Sequence, residues 1–528
     1  MPERSSSSKR PIVLIHGYSS TGNAFNAWQK ILLARSYREE NIHVVTYQSL
    51  TNEVTIRDLA EGFDRALQQQ TGLNEDEPFD AIVHSTGMLV IRAWLTNYSK
   101  RASRLKHLIG LAPATFGSPL AHKGRGFLVG VFAGNRNRGP DFLEAGDLIL
   151  GNLELASRFT WDLAHQDLFG DTTFYGKKDD TPYVFIFCGT DKYSGLLRII
   201  SQDGTDGTVR LAGCALNSRK IVLDLAGDIR EDKRVDTAKW SHEDAPLVPI
   251  AGVHHGTIMS DPPPELVEFV MAGLEVDSAN NYTRWRQTAK DHSERVYKDT
   301  PALEKWQQLI VRVIDERGEP IPDYFIEFIV KMPGTSIWQP FQDVFPKFRT
   351  HVHVYKHDPS LRCFHIDLDS ARQYQGEPLG IRVIASSGTG LVGYHGYVDP
   401  NIAVPKNTSS PREDASSADD YLIDASDLGL PPSLKASHVE GVWDGVIDLS
   451  SLNKDVKFFY EFTTTLLEIR LNREPLPLAG VNNLVKFPFS KTNQTLSALD
   501  KASAEVHAGD ETRTDELFKQ LLSDSERD

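Results

Sequence analysis

The sequence predicts an α/β chain in which a largely parallel sheet is covered by helices on both faces and interrupted by an inserted cap. An all-β, sandwich-like part follows. Three observations predict this. From Pro11 to about Gly273, short apolar runs without polar alternation exchange with segments of helical period. Between Pro119 and Pro182 that rhythm breaks over a segment rich in Leu and Phe and too long for a plain connection. Beyond about Glu304 the pattern becomes that of short strands separated by turns.

In chain order, "PIVLIHG" is a strand and is followed by a helix around Ala24 to Arg35. "IHVVTY" is the next strand, and Ile56, Leu59, Phe63 and Leu67 keep helical spacing from Ile56 to Gln70. Phe79 to Val83 forms a third strand, with a helix running from Met88 to near Leu95. "LKHLIGLAP", "PYVFIFCGT" and "RKIVLDL" extend the parallel sheet. A polar helix from Tyr282 to about Tyr297 connects to the second part. There, "QQLIVRVIDERGEPIPDYFIEFIVKM" holds two β runs around a Gly–Pro turn, and "RTHVHVYKH", "LRCFHIDLD", "LGIRVIASS" and "TTLLEIRLN" are further strands. The expected division is an α/β domain over 1–280 with the cap at 119–182, a connector over 281–303, a β-sandwich over 304–480 and a polar tail over 481–528. The Ser/Asp/Pro-rich "NTSSPREDASSADD" is a loop within the sandwich.

Composition narrows the function. At 528 residues, 40% hydrophobic and 24% charged, the chain has ample apolar mass for more than one core. A net charge of −15 argues against general affinity for nucleic acid or anionic membrane, leaving at most peripheral membrane contact. The three cysteines are far apart and odd in number, which predicts neither a disulfide framework nor a CxxC metal site. "MPERSSSSKR" has no apolar h-region, so a cytoplasmic location is the default expectation and leaderless secretion is compatible with it. No cofactor is expected, and the sequence is silent on oligomeric state.

The chemistry concentrates in four stretches. In "AIVHSTGM", Ser85 stands where a strand gives way to a helix, with Gly87 close behind. Such an elbow is tight, pushes the hydroxyl outward and aims the N–H groups of the new helix at whatever binds there. The plain alternative is a helix-capping Ser. "LIHGYSSTG" places a His-Gly pair after the first strand, so that the Tyr18 N–H, together with that of Thr86, can form a two-donor oxyanion hole. "DGTDGTVRLA" sets Asp206 on a Gly-flanked turn, and "AGVHHGTIM" ends an apolar run in a His pair. The order Ser85, Asp206, His255 suits three loops at one edge of a parallel sheet. A Ser hydroxyl becomes a competent nucleophile only when a neutral His takes its proton and an acid fixes that His.

These stretches, with "LAPATFGSPLAHKG", resemble the α/β-hydrolases, and within them the lipase-like serine esterases, over roughly Pro11 to Gly273. The resemblance implies a nucleophile at Ser85 and an acid loop at "DGTV". It also implies a catalytic His in "HHGTIM", where an Ile three residues on favours His255 over His254. Two positions depart from the pattern: Val83 and Met88 stand where glycines are usual. Asp203 and Asp191 compete with Asp206, and His84 is read as a packing residue of the elbow. His351 and His353 share a strand face near His357, His365 and Asp367, which permits a metal site, although surface or cross-strand histidines are the commoner explanation. "HKGRG" could meet a phosphate or form a solvated loop. The expected activity is a metal-independent carboxylic-ester hydrolase, a lipase or esterase acting on lipid-like or hydrophobic acyl esters. The alternatives are a phospholipase A-type effector and an attachment protein whose β domain does the work.

Overall fold

The computed structural model describes residues 9–18, 22–47, 53–69, 73, 76–98, 103–121, 147–176, 180–194, 202–226, 234–239, 245–300, 303, 305–345, 348–369, 378–397, 441–449 and 458–476. The stretches "FLVGVFAG" and "HKGRG", the loop "NTSSPREDASSADD" and the tail over 481–528 therefore lie outside the described residues. Residues 1–474 make one unit; of the unit that begins at Pro475, only Pro475 and Leu476 are described.

The first sheet is built from β1 (Ile12–Ile15), β2 (Ile42–Val45), β3 (Phe79–His84), β4 (Leu105–Leu111), β5 (Tyr183–Gly189) and, after β6 (Ser218–Asp224) and β7 (Val235–Lys239), β8 (Leu247–Ile250). Its order is β2-β1-β3-β4-β5-β8, parallel throughout. Every residue of β1 and β3 is buried, as strands covered on both faces require, whereas edge strand β2 is only half-buried. The chain leaves β1 toward β2 and returns to β3 on the other side of β1. The sheet's switch point thus lies between the ends of β1 and β3, where ligand sites of open α/β sheets form.

The covering helices follow from local sequence. Ile56–Gln69 buries Ile56, Leu59, Ala60, Phe63 and Leu67 on one face. Thr55 and Asp58 cap it reciprocally: the Asp58 N–H donates to Thr55 Oγ1, and the Thr55 N–H donates to the Asp58 carboxylate at 2.8 Å. The connecting helix, Ala279–Asp299, is capped by Ser278 and packs one face inward. It buries Tyr282, Trp285, Ala289, His292 and Val296, and Trp285 meets Phe185 of β5 edge-on at 4.6 Å. Between β4 and β5, the inserted segment carries the helices Asp147–Leu153 and Arg158–Asp167. Ile149, Leu150, Leu153 and Leu155 from it pack into the main core.

The remaining strands are β9 (Trp306–Asp315), β10 (Tyr324–Lys331), β11 (Trp338–Pro340), β12 (Thr350–Val354), β13 (Leu361–Asp367), β14 (Leu379–Ser386), β15 (Val392–His395), β16 (Val442–Asp448) and β17 (Thr464–Pro475). They form a four-stranded antiparallel sheet, β11-β10-β14-β16, and a mixed sheet ordered β12-β13-β9-β17-β6-β7, with β15 also paired to β17. Leu309, Val311 and Val313 of β9 and Leu467 and Ile469 of β17 meet Phe328, Ile381 and Val383 across the gap, a sheet-on-sheet sandwich.

One strand differs from the sequence reading. β6, "SRKIVLD", is not a member of the parallel sheet; it pairs in parallel with β17 and antiparallel with β7. The mixed sheet therefore draws strands from both halves of the chain. Its second face also joins the main core through Ile310, Leu361, Cys363 and Leu466. Among the described residues, no helix is long and apolar enough to cross a membrane.

Candidate active site

Ser85 follows β3 directly, with φ of +53°, the left-handed backbone that a sharp strand-to-helix turn demands. The turn is locked on both sides. The Ser85 N–H donates to Leu111 O on β4 at 3.2 Å, and the Ser85 carbonyl accepts from Met88 N and Ala114 N, each at 3.1 Å. Thr86 is the N-cap of the helix Gly87–Asn97, so the first N–H groups of that helix open at the elbow. A Cβ on Gly87 would lie 2.6 Å from the Ile15 carbonyl, which is why the helix can start so close to β1. Val83 is accommodated as a fully buried core residue, and the Cε of Met88 takes space that a side chain on Gly110 would fill.

The loop after β1 closes over the elbow. Gly17 sits so near that a Cβ there would be 2.9 Å from Ser85 Cβ and 3.4 Å from Ser85 Oγ. The Tyr18 backbone follows directly on that contact. His16 anchors the loop: its ring stacks on Tyr47 at 4.2 Å, and its Nδ1 lies 2.7 Å from Gly17 O. Burial holds the His16 imidazole below its ordinary range.

His255 lies in the loop after β8 and is fully buried, as is Asp206 in the segment after β5. His255 Nδ1 is 2.9 Å from Asp206 Oδ2, and the His255 N–H donates to the Asp206 carbonyl at 3.0 Å. The other carboxylate oxygen, Oδ1, accepts from Thr208 N at 3.0 Å and Val209 N at 2.9 Å. Cys188, at the end of β5, approaches Oδ2 with its thiol at 3.8 Å. The carboxylate is thus held by its own turn as well as by the imidazole.

His84 links the elbow to the His loop. Its Nε2 is 3.1 Å from the His255 carbonyl, and the two rings are 4.7 Å apart. Burial and then the adjacent His255 push its pKa well below the usual imidazole value. His84 is therefore neutral, with its proton on the nitrogen that donates to the carbonyl.

The competing candidates fall elsewhere. His254 is half-exposed, turned against Tyr193 at 4.7 Å, with its Nδ1 accepting from Gly256 N. Asp203 pairs with Lys192 and with Arg349 at 3.2 Å. Asp191 is exposed and is bonded by the Thr190 hydroxyl. The structure brings His255 and Asp206 together beside the elbow, and brings none of these three into that bond.

The architecture has a close counterpart. Phospholipase PlaB from Legionella pneumophila superposes with a TM-score of 0.68 at 21% identity, over 92% of this chain and 98% of that one. Its complex with thio-NAD matches equally, at 0.68 and 21%, over 91% and 97%. The chain has the α/β-hydrolase fold. Bacillus licheniformis lipase BlEst2 in mature form aligns over 51% of this chain at 14% identity, with a TM-score of 0.33. No family model matches the sequence, and no curated protein matches it. The PlaB likeness runs well past the N-terminal stretch, Pro11 to Gly273, over which the motifs resemble α/β-hydrolases.

Away from this edge of the parallel sheet, the histidines of β12 and β13 have other neighbours. His365 is buried and stacks on Trp306 at 4.2 Å, and His351 lies on the same ring at 5.6 Å. His353 Nε2 meets Glu154 Oε1 at 2.8 Å, and Asp367 pairs with Arg349. Among the described residues, no three His, Cys, Asp or Glu are grouped to hold a metal. Two neighbours of the site escaped sequence reasoning, Cys188 and Arg210. Cys188 ends a strand at the edge that carries the motifs, which was the available signal.

Proposed function

We propose that this chain is a serine carboxylic-ester hydrolase with Ser85 as nucleophile, His255 as general base and then acid, and Asp206 as the acid that orients it. The observation that carries the reading is the buried 2.9 Å contact between His255 Nδ1 and Asp206 Oδ2 beside a serine at φ +53°. In the neutral imidazole, a proton on Nδ1 donated to the carboxylate leaves the Nε2 lone pair to accept the Ser85 proton. The hydroxyl oxygen then bonds to the acyl carbon. The backbone N–H groups of Tyr18 and Thr86 receive the developing oxyanion, which they can do without reorganising. His255 returns the proton to the leaving alkoxide, and water repeats the cycle to free the acid.

Lipid-like acyl esters are the proposed substrates. The architectural counterpart, PlaB, is a phospholipase by name, which puts phospholipids first among the esters to assay. Of the proposed cap, 119–182, the described helix Asp147–Leu153 turns Ile149, Leu150 and Leu153 into the core and leaves Leu148 exposed. Any acyl-chain surface the cap offers must therefore come from Leu148 or from residues outside this helix. The test is a fluorophosphonate probe on the intact protein, with p-nitrophenyl esters from acetate to palmitate and a phospholipid panel. Labelling at Ser85 and a rise in kcat/KM with chain length support a lipid-directed enzyme. Absence of labelling overturns the nucleophile, and a steady fall from acetate onward overturns the lipid preference.

A further inference from the structure

The acid loop does not rest on the parallel sheet alone. Arg210 closes it: residues Thr205 and Arg210 pair across its mouth, and Leu211 N donates to Gly204 O at 3.0 Å. The underside of the loop lies on the mixed sheet of the C-terminal half. A Cβ on Gly204 would be 2.5 Å from Trp306 Cδ1 and 3.0 Å from His365 Cε1. The Thr464 hydroxyl on β17 donates to Ala212 O at 3.0 Å.

Within that seat the Arg210 side chain is only 2% exposed, and no carboxylate among the described residues pairs with it. Its guanidinium donates to Cys363 Sγ on β13 and to Gln202 Oε1, both at 3.2 Å. A buried guanidinium carries a desolvation cost that a thiol and an amide repay poorly. An apolar side chain of similar length would be the better choice if packing were all that mattered. The costly residue sits where it ties both ends of the Asp206 turn to a strand of the other half.

We infer that Arg210 is a positioning residue for Asp206, clamping the acid loop onto the C-terminal sheet through Cys363 and Gln202. The inference rests on the proposed roles of Ser85, Asp206 and His255. It gives the mixed sheet a part in the reaction: β9, β13 and β17 are the floor that sets where the His255–Asp206 pair stands.

The experiment is a double-mutant cycle on the full chain, with a p-nitrophenyl ester as substrate and thermal melting as a parallel readout. Arg210→Met keeps the stem and removes the donors. It is expected to lower kcat by about tenfold or more, with KM within about twofold and a melting temperature no lower than that of the parent. In an Asp206→Asn background the same substitution is expected to cost less than about threefold, because the residue acts through Asp206. Wild-type kcat in folded Arg210→Met, or an undiminished tenfold loss in the Asp206→Asn background, overturns the inference. Should Arg210→Met not fold, Cys363→Ala removes the strand-side acceptor with the charge left in place. The same loss and non-additivity are expected, and wild-type kcat in that folded variant overturns the clamp. Fluorophosphonate labelling of the parent separates the two failures. Without labelling at Ser85 the catalytic reading falls and takes the clamp with it; with labelling, an inert Arg210 removes the clamp alone.

Discussion

Ser85 holds a left-handed backbone that costs a non-glycine residue about 1–3 kcal/mol, and the surrounding bonds to Leu111, Met88 and Ala114 keep it there. Ser85→Ala retains that backbone and loses only the oxygen. It should drop kcat by several powers of ten with an unchanged circular-dichroism spectrum and melting temperature. His255→Ala should match that loss, whereas His254→Ala, whose ring faces Tyr193, should stay within about tenfold of the parent. A second residue-scale prediction concerns His365, which is buried with neither ring nitrogen hydrogen-bonded among the described residues. Burial, then Arg210 and His351, depress its pKa well below 6.5. The unfolded chain therefore binds the proton more readily than the folded one. The stability tied to this group is complete above about pH 6.5 and is lost as the pH falls below it. His365→Phe keeps the stack on Trp306 and removes the titration. Melting curves from pH 7.5 to 5 should show a shallower acid decline for the variant, and an identical slope would refute the assignment.

At the scale of elements, the helix that begins at the elbow is tied to the inserted segment by a fully buried ion pair. Arg92 meets Asp167 twice, Nε to Oδ2 at 2.7 Å and a second nitrogen to Oδ1 at 2.8 Å. Arg92 also donates to the Thr115 carbonyl, while the Tyr175 hydroxyl donates to Asp167. Removing one partner strands a buried charge. Arg92→Met should cost about 3–5 kcal/mol in denaturant unfolding, and pairing it with Asp167→Leu should recover much of that loss. The periodicities of these elements were visible in the sequence: the strand Phe79–Val83 is extended by one residue, and Ile56–Gln70 shortened by one. The connecting helix read from Tyr282 to about Tyr297 runs Ala279–Asp299, and its mean polarity hides a buried face of one aromatic or apolar residue per turn, starting at Tyr282 and Trp285.

For the whole molecule, the mixed sheet is the decisive feature. β6 pairs with β17, and β9 and β13 contribute Ile310, Leu361 and Cys363 to the core that also contains β1 and β3. A chain ending at residue 303 would leave one edge of β6 open and strip that core of its C-terminal cover. Such a truncation should aggregate or lack a cooperative melt, as size-exclusion chromatography and calorimetry would show. A monomeric fragment with a sharp transition would mean that the two halves fold independently.

The sequence by itself determined the fold class, five of the six parallel strands (all but β8) and the residues Ser85, Asp206 and His255 as candidates. Each of these is written locally: in buried runs without alternation, in a serine at a strand-to-helix junction, and in turn chemistry around Asp206. Only the tertiary structure decided which histidine meets the acid, because His254 and His255 share one loop and differ in the direction their side chains take. It also decided that β6 leaves the parallel sheet, since an apolar β run satisfies either sheet and its partner β17 lies far along the chain. The placing of Arg210 beside Cys363 is of the same kind. The bond joins residues 153 positions apart, and no local pattern of either segment carries a signal of the other.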